Sequence, residues 1–246
     1  MSKFLDSIKM HGFFDTIGII VGDAGHKIFQ LVAKSHERRN RRYDAVFEVD
    51  TAGYIPTSKQ EFIGENIKSA IYYYPANEPS LHLVFRFLGN RKVDFTKFTF
   101  IDLGCGKGKP LLIASSYPLK SIVGVEASVS TSKIAGENIS KYKNVKQKCS
   151  DITVQNADIF QYLLPEENLI ILLSNPFDRD SPLYTELLNK IEAHGSLTGK
   201  KIFIIYYCPE SIALFDYCKF LTKLAHFKTF FSSHDWVMYE NKNPIY

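Results

Sequence analysis

Three acidic residues and a run of alternate glycines are the chemically loaded part of this 246-residue chain. Asp102 and Glu126 end the apolar runs "FTFID" and "SIVGVE", and Asp158 follows the mixed run "ITVQNA". Between the first two acids lies Gly104-Cys105-Gly106-Lys107-Gly108. Glycines so placed allow a sharp turn from strand to helix and let a ligand approach the backbone N–H groups. A dinucleotide site would be GxGxxG, with the pyrophosphate at the helix start and the third glycine easing the packing of the helix. Here the pattern is GxGxG, and Asp102 stands two residues ahead of it, where its carboxylate would repel a pyrophosphate and attract a cation. Taken singly, Glu126 reads as a surface carboxylate and Asp158 as a helix cap. In order, at successive strand ends, the three acids fit one extended ligand.

The elements that must position these residues are regular from Pro75 onward. Asn77 can cap a helix over "EPSLHLVFRFLG", with Leu81, Val84, Phe85 and Leu88 at helical spacing and Gly89 at its close. The strand "FTFIDLG" is apolar enough to be buried on both faces. After it come a helix through "KPLLIASSYP", a strand "SIVGVEA", a helix "STSKIAGENISKYK" and a strand near "ITVQNADI". A strand "NLIILLSNPF", a helix "SPLYTELLNKIEAHG" and a strand "KIFIIYYC" complete the alternation. The pattern predicts an α/β fold with a doubly wound, mostly parallel sheet, whose right-handed crossovers bring the carboxyl ends of the strands to one ligand-binding edge. A helix "PESIALFDYCKFLTKLA" and two strands, "FKTFFSS" and "DWVMYE", are expected to finish the chain as an antiparallel hairpin.

At "DLGCGKG" the chain resembles the class I S-adenosylmethionine-dependent methyltransferases, whose first motif is an acidic residue, a spacer and GxGxG. That resemblance implies a seven-stranded sheet and S-adenosylmethionine (SAM), a cationic ligand without phosphate, as cofactor. It implies cofactor contacts from Asp102, Gly104, Cys105, Gly106, Gly108, Glu126, Asp158, Ile159 and Asn175. The loop Gly104 to Gly108 would wrap the methionine part with Asp102 near its ammonium group. Glu126 would accept hydrogen bonds from the ribose hydroxyls, and Asp158 one from the adenine amino group with Ile159 beside it. Two residues depart from the usual pattern: Lys107, expected to point to solvent, and Pro110, tolerable in a first helical turn.

The fourth strand end, "LIILLSNPFD", is where such enzymes present the methyl acceptor. Asn175-Pro176-Phe177 resembles a shortened Asn/Asp-Pro-Pro-aromatic motif of methyltransferases acting on nitrogen, and the resemblance implies catalytic roles for these three residues. An amide oxygen and a backbone carbonyl can accept hydrogens from an amine while an aromatic face stabilises the developing positive charge. In-line methyl transfer depends on proximity and alignment and requires no dedicated acid–base pair. The missing second proline weakens base methylation, so nucleic acid is not the expected acceptor; a protein side chain such as lysine, or a small molecule, is. From "VDTAGYIP" through "YYYPANEPS" to "NPFD" the chain is similar to a group of bacterial methyltransferase-like proteins and, distantly, to protein-lysine methyltransferases. Tyr73, Tyr74 and Pro75 could cover the cofactor or shape the acceptor pocket, with Tyr74 and Phe177 as substrate-binding candidates. His82 and His194 read as helix residues, and His234 as a turn residue able to approach the site. A nicotinamide-dependent Rossmann reductase and a non-catalytic SAM-binding module are the rival readings.

Composition sets the remaining bounds. A formal charge of +4, from 30 basic and 26 acidic residues, makes no strong field for a polyanion. Cys105, Cys149, Cys208 and Cys218 form no CxxC pair, which fits reduced thiols in a cytoplasmic protein and argues against structural zinc; no metal is expected. Ahead of the main domain (47–246) stands an extension (1–46), expected to be helical. Its apolar stretch is broken by Asp15 and Asp23, too short to span a bilayer, so helices packed on the domain are expected, with peripheral membrane contact the alternative. The basic run "KSHERRNRRYD" reads as a solvated helix end, and "VFEVDTAGYIP" as an extended segment crossing the domain's edge. The oligomeric state is left open by the sequence.

Overall fold

The structure, a computed structural model, describes residues 31, 33–64, 72–227 and 235–242. The apolar N-terminal stretch and His234 lie outside the described residues. Among those described, no helix is long and apolar enough to cross a membrane.

One seven-stranded sheet carries the molecule, with β1 (Phe98–Leu103), β2 (Ser121–Glu126), β3 (Ile152–Asn156), β4 (Asn168–Leu173), β5 (Ile202–Tyr207), β6 (Leu221–Phe227) and β7 (Trp236–Asn241). Their order is β3-β2-β1-β4-β5-β7-β6. The first five strands are parallel, and β7 runs antiparallel to both β5 and β6. The doubly wound sheet and its C-terminal antiparallel pair are as the sequence predicts. Alternation explains why β4 reads as an unbroken apolar run: Ile170 and Leu172 enter one core, and Leu169, Ile171 and Leu173 the other. The first core is closed by α2 (Glu78–Asn90) and α3 (Lys109–Ala114), and the second by α5 (Leu183–Thr198) and α6 (Ile212–Asp216). α4 (Val129–Lys141) follows β2 and packs on β3. Asn77 caps α2 as expected, its side chain accepting from Ser80 N–H at 3.2 Å.

The basic run belongs to a helix, α1 (33–47), whose arginines are exposed while His36, Asn40 and Tyr43 are buried at helical spacing. "VFEVD" is thus partly helical, and the extended path begins only at Val49. From there the chain crosses the carboxyl ends of the strands. Ile55 and Tyr73 form an antiparallel bridge with N–H···O distances of 3.2 and 2.9 Å, and Ile63 N–H donates to Ala127 O at 2.9 Å.

The C-terminal third corrects one expectation. "PESIALFDYCKFLTKLA" is helical only over Ile212–Asp216, and its end, with "HF", is the edge strand β6. A bulge between Lys223 and Ala225 shifts the register against β7, so the apolar residues of β6 lose their alternation and read as a helix in one dimension. The expected strand "FKTFFSS" keeps only its first residue, Phe227, within a described strand; residues 228–234 lie outside the description.

Candidate functional site

A cavity of about 670 Å³ opens at the carboxyl ends of the parallel strands, a size typical of small-molecule sites. It sits where the strand order reverses between β1 and β4, the usual position for a ligand on an open α/β sheet.

Asp102 ends up here because its neighbours on β1 alternate into the two cores, leaving the last polar residue at the strand's open end. It is 1% exposed, and among the described residues neither carboxylate oxygen has a hydrogen-bond partner. Burial, and then the nearby Glu126 carboxylate, raises its pKa well above the ordinary value. A buried carboxylate without donors is costly unless something supplies them. Facing it is the glycine loop. Gly106 has φ +52°, and a Cβ there would run into the ring of Tyr73, which packs against the loop and donates its hydroxyl to Thr51 O at 2.6 Å. Gly108, φ +80°, forms the N-cap of α3 in the left-handed region, and a Cβ there would meet Ala135 Cβ at 3.2 Å.

Glu126 accepts from Gly106 N–H and from Ser128 N–H, both at 2.7 Å, and so ties the glycine loop to the end of β2. Burial raises its pKa against the pull of these backbone N–H groups. Gly106 N–H reaches one carboxylate oxygen and Ser128 N–H the other, and a carboxylate oxygen can accept more than one hydrogen bond, as binding a diol requires. Asp158 Oδ1 accepts from Phe160 N–H at 2.9 Å, and Gly64 packs so closely on the carboxylate that a Cβ would overlap it. Lys190 of α5 donates to the carbonyls of Ile159, Phe160 and Tyr162 at 2.9, 2.7 and 2.6 Å, pinning the turn that holds Asp158.

At the end of β4 the chain turns through Asn175, whose φ of +45° favours asparagine over most residues. Its amide Nδ2 donates to Cys208 O at 2.6 Å and its Oδ1 accepts from Glu210 N–H at 3.4 Å, joining the loops after β4 and β5. Pro176 sits beside Gly104 on the cavity wall, with 3.7 Å between its Cβ and the position a Cβ on Gly104 would take. Phe177 stacks on Phe160 (5.7 Å, 13°) and meets Tyr184 edge-on, so most of its ring belongs to the core.

Asp102, Gly104, Cys105, Gly106, Glu126, Asp158 and Ile159 therefore share one cavity wall system with Asn175, Pro176, Phe177 and Tyr74. Gly108 is the one predicted site residue that does not line it, and it shapes the loop from behind. Lys107 does not point to solvent. It is 6% exposed and its ammonium pairs with Asp50 at 2.8 Å and donates to Ala52 O at 3.0 Å, away from Asp102, because residues 50–52 fold over the loop. Sequence reasoning missed Asn138 on α4, whose amide accepts from Asp50 N–H (2.7 Å) and donates to Asp50 O (2.8 Å) and Lys107 O (2.9 Å). The buried face of α4 carries Thr131 and Ser132 as well as Ala135, so Asn138 did not stand out in the sequence. Sequence reasoning also missed the polar stripe of α1, which lacks apolar spacing.

No protein-family model matches the chain, and no curated protein matches its sequence. Solved structures similar to it include magnesium protoporphyrin IX methyltransferase from Synechocystis PCC 6803 with bound SAM, at 14% identity over 67% of this chain and 79% of that one, TM-score 0.48. Ribosomal protein L11 methylase from Lactobacillus delbrueckii subsp. bulgaricus shares 13% over 68% and 80%, TM-score 0.46. An RNA methyltransferase from Salinibacter ruber in complex with S-adenosyl-L-homocysteine shares 17% over 70% and 95%, TM-score 0.44. Likeness of this degree carries no assignment of activity, which rests on the site itself.

Proposed function

We propose that the chain is a SAM-dependent methyltransferase acting on a nitrogen, of a protein side chain such as lysine or of a small molecule. The observation that carries this reading is Asp102: a buried carboxylate on the cavity wall, without a donor among the described residues and set beside the glycine loop, fits an ammonium group and does not fit a pyrophosphate. Glu126 fits the ribose diol and Asp158, with Ile159, the adenine. When bound, the cofactor supplies a sulfonium methyl, which passes to the acceptor lone pair as the C–S bond breaks and a thioether remains. The amine's proton leaves to solvent.

Charge supports an amine over a polyanion. Among the described lining residues the acids Asp102, Glu126, Asp158, Glu210 and Asp235 outnumber the one cation, Arg179, which pairs with Glu210 at 3.5 Å, so that even with the pKa of Asp102 and Glu126 raised by burial no lining cation is left over for a phosphate. A nucleic acid would bring phosphates into that field, whereas a cationic amine is drawn to it. Asn175 Oδ1, held only loosely by Glu210 N–H, is the oxygen we assign to the incoming amine, and Pro176 and Phe177 stiffen the turn.

Calorimetry with S-adenosylhomocysteine tests the cofactor half. Binding to the native chain and none to Asp102→Ala is expected, and tighter binding of NADH would favour a reductase instead. Transfer of a tritiated methyl group to fractionated lysate tests the rest. Asn175→Ala should keep cofactor affinity within a few-fold and slow transfer at least tenfold. Cofactor binding without any labelled product would make the chain a binding module.

A further inference from the structure

Behind Tyr74 runs a line of polar groups that the reading above leaves unused. The Tyr74 hydroxyl lies 2.9 Å from His36 Nδ1, Asn40 Nδ2 lies 3.5 Å from His36 Nε2, and Lys109 Nζ donates to Asn40 Oδ1 at 2.5 Å. His36, Asn40 and Lys109 are 3%, 2% and 1% exposed, while Tyr74 opens onto the cavity. The direction of each bond follows from the last. An ammonium group only donates, so the Asn40 oxygen faces Lys109 and its NH₂ faces His36. An NH₂ also only donates, so His36 Nε2 carries the lone pair and the imidazole proton sits on Nδ1. Nδ1–H then donates to the Tyr74 oxygen, and the phenolic hydrogen is left to point outward. Burial, followed by the nearby Glu37 carboxylate, holds the Tyr74 pKa up, so that hydrogen is present.

We propose that this relay fixes Tyr74 as a hydrogen-bond donor to an oxygen of the methyl-acceptor molecule, with His36, Asn40 and Lys109 as positioning residues. The proposal rests on the reading of the cavity as a cofactor and acceptor site. It adds to that reading a chemical requirement: beside the methylated nitrogen the acceptor carries a carbonyl, carboxylate or hydroxyl oxygen. It also makes α1 part of the acceptor site. Docking α1 on α3 does not by itself explain the polar line, since an apolar stripe would join the two helices without burying an amine.

Heteronuclear NMR of the histidine ring nitrogens reads the relay directly in the full chain, with His36 assigned by its loss in His36→Gln. A protonated Nδ1 and bare Nε2 are expected, and Lys109→Met should blur that preference. An Nε2–H tautomer or an imidazolium in the native chain overturns the proposal. The functional arm uses the lysate fraction that takes up tritiated methyl. Tyr74→Phe and His36→Gln should each raise the half-saturating amount of that fraction roughly tenfold, with the maximal rate and S-adenosylhomocysteine affinity nearly unchanged. Unchanged half-saturation in Tyr74→Phe overturns the proposal. A native chain that binds no S-adenosylhomocysteine or transfers no label defeats the methyltransferase reading, and the tautomer still decides the relay.

Discussion

Asp102 is held where a carboxylate is least at ease, and its behaviour without ligand follows from that. At a pH above its raised pKa, removing the Asp102 charge should help the empty protein and cripple the loaded one: Asp102→Asn is there expected to raise the thermal midpoint without ligand by roughly 2–4 °C, the equivalent of ~1 kcal/mol in a chain this long. The same variant should lose at least tenfold in S-adenosylhomocysteine affinity, measured by calorimetry. The pH dependence has a definite sign. Folded Asp102 keeps its proton to higher pH than the unfolded carboxyl does, because burial and then Glu126 raise its pKa. The folded state thus binds more protons over that interval, and the free protein loses stability as pH rises through it. An ammonium ligand needs the ionised form, so affinity weakens as pH falls below the raised value, and binding there releases a proton. Calorimetric heats should accordingly differ between buffers of unlike ionisation enthalpy at one pH, and equal heats would mean that Asp102 is already ionised. Asn138 is the structural counterpart. Its bonds to Asp50 and Lys107 are all within the protein, and Asn138→Ala should cost about 3 kcal/mol in denaturant unfolding.

At the level of elements, the glycine loop and the segment crossing it fit each other through one contact. Gly106→Ala combines a positive φ with a Cβ driven into the Tyr73 ring. A loss of about 2–3 kcal/mol on thermal unfolding is expected, with cofactor affinity falling alongside it. Much of this scale was legible beforehand. The parallel strands announce themselves because their alternate residues enter two apolar cores, and the acids stand out because they end those runs. β6 was not legible, since its bulge hides the alternation and its partner, β7, begins only at Trp236. The fate of Lys107 was hidden for a related reason: a lysine in a glycine loop reads as exposed unless one knows that Asp50, far away in sequence, folds over it. The buried face of α1 was invisible because His36, Asn40 and Tyr43 do not look like a core. Long-range polar partners leave no periodic trace.

For the molecule as a whole, the sheet places its only tryptophan next to the site. Trp236 on β7 is buried and stacks on Tyr207 at 4.2 Å and 26°, and Tyr207 lines the cavity. Its emission should therefore shift on titration with S-adenosylhomocysteine, and a silent tryptophan alongside calorimetric binding would mean that the Tyr207 wall does not respond to the ligand. The strand order also bears on how the chain is made. β7 lies between β5 and β6 although it is synthesised after both, and among the described residues β6 pairs with no other strand. A growing chain leaving the ribosome would carry the bare flank of β5 and an unmatched β6 until the late insert arrives. Stalled or slowly translated intermediates should stick to one another or recruit chaperones at that flank, a hazard written into the topology and not into any single side chain.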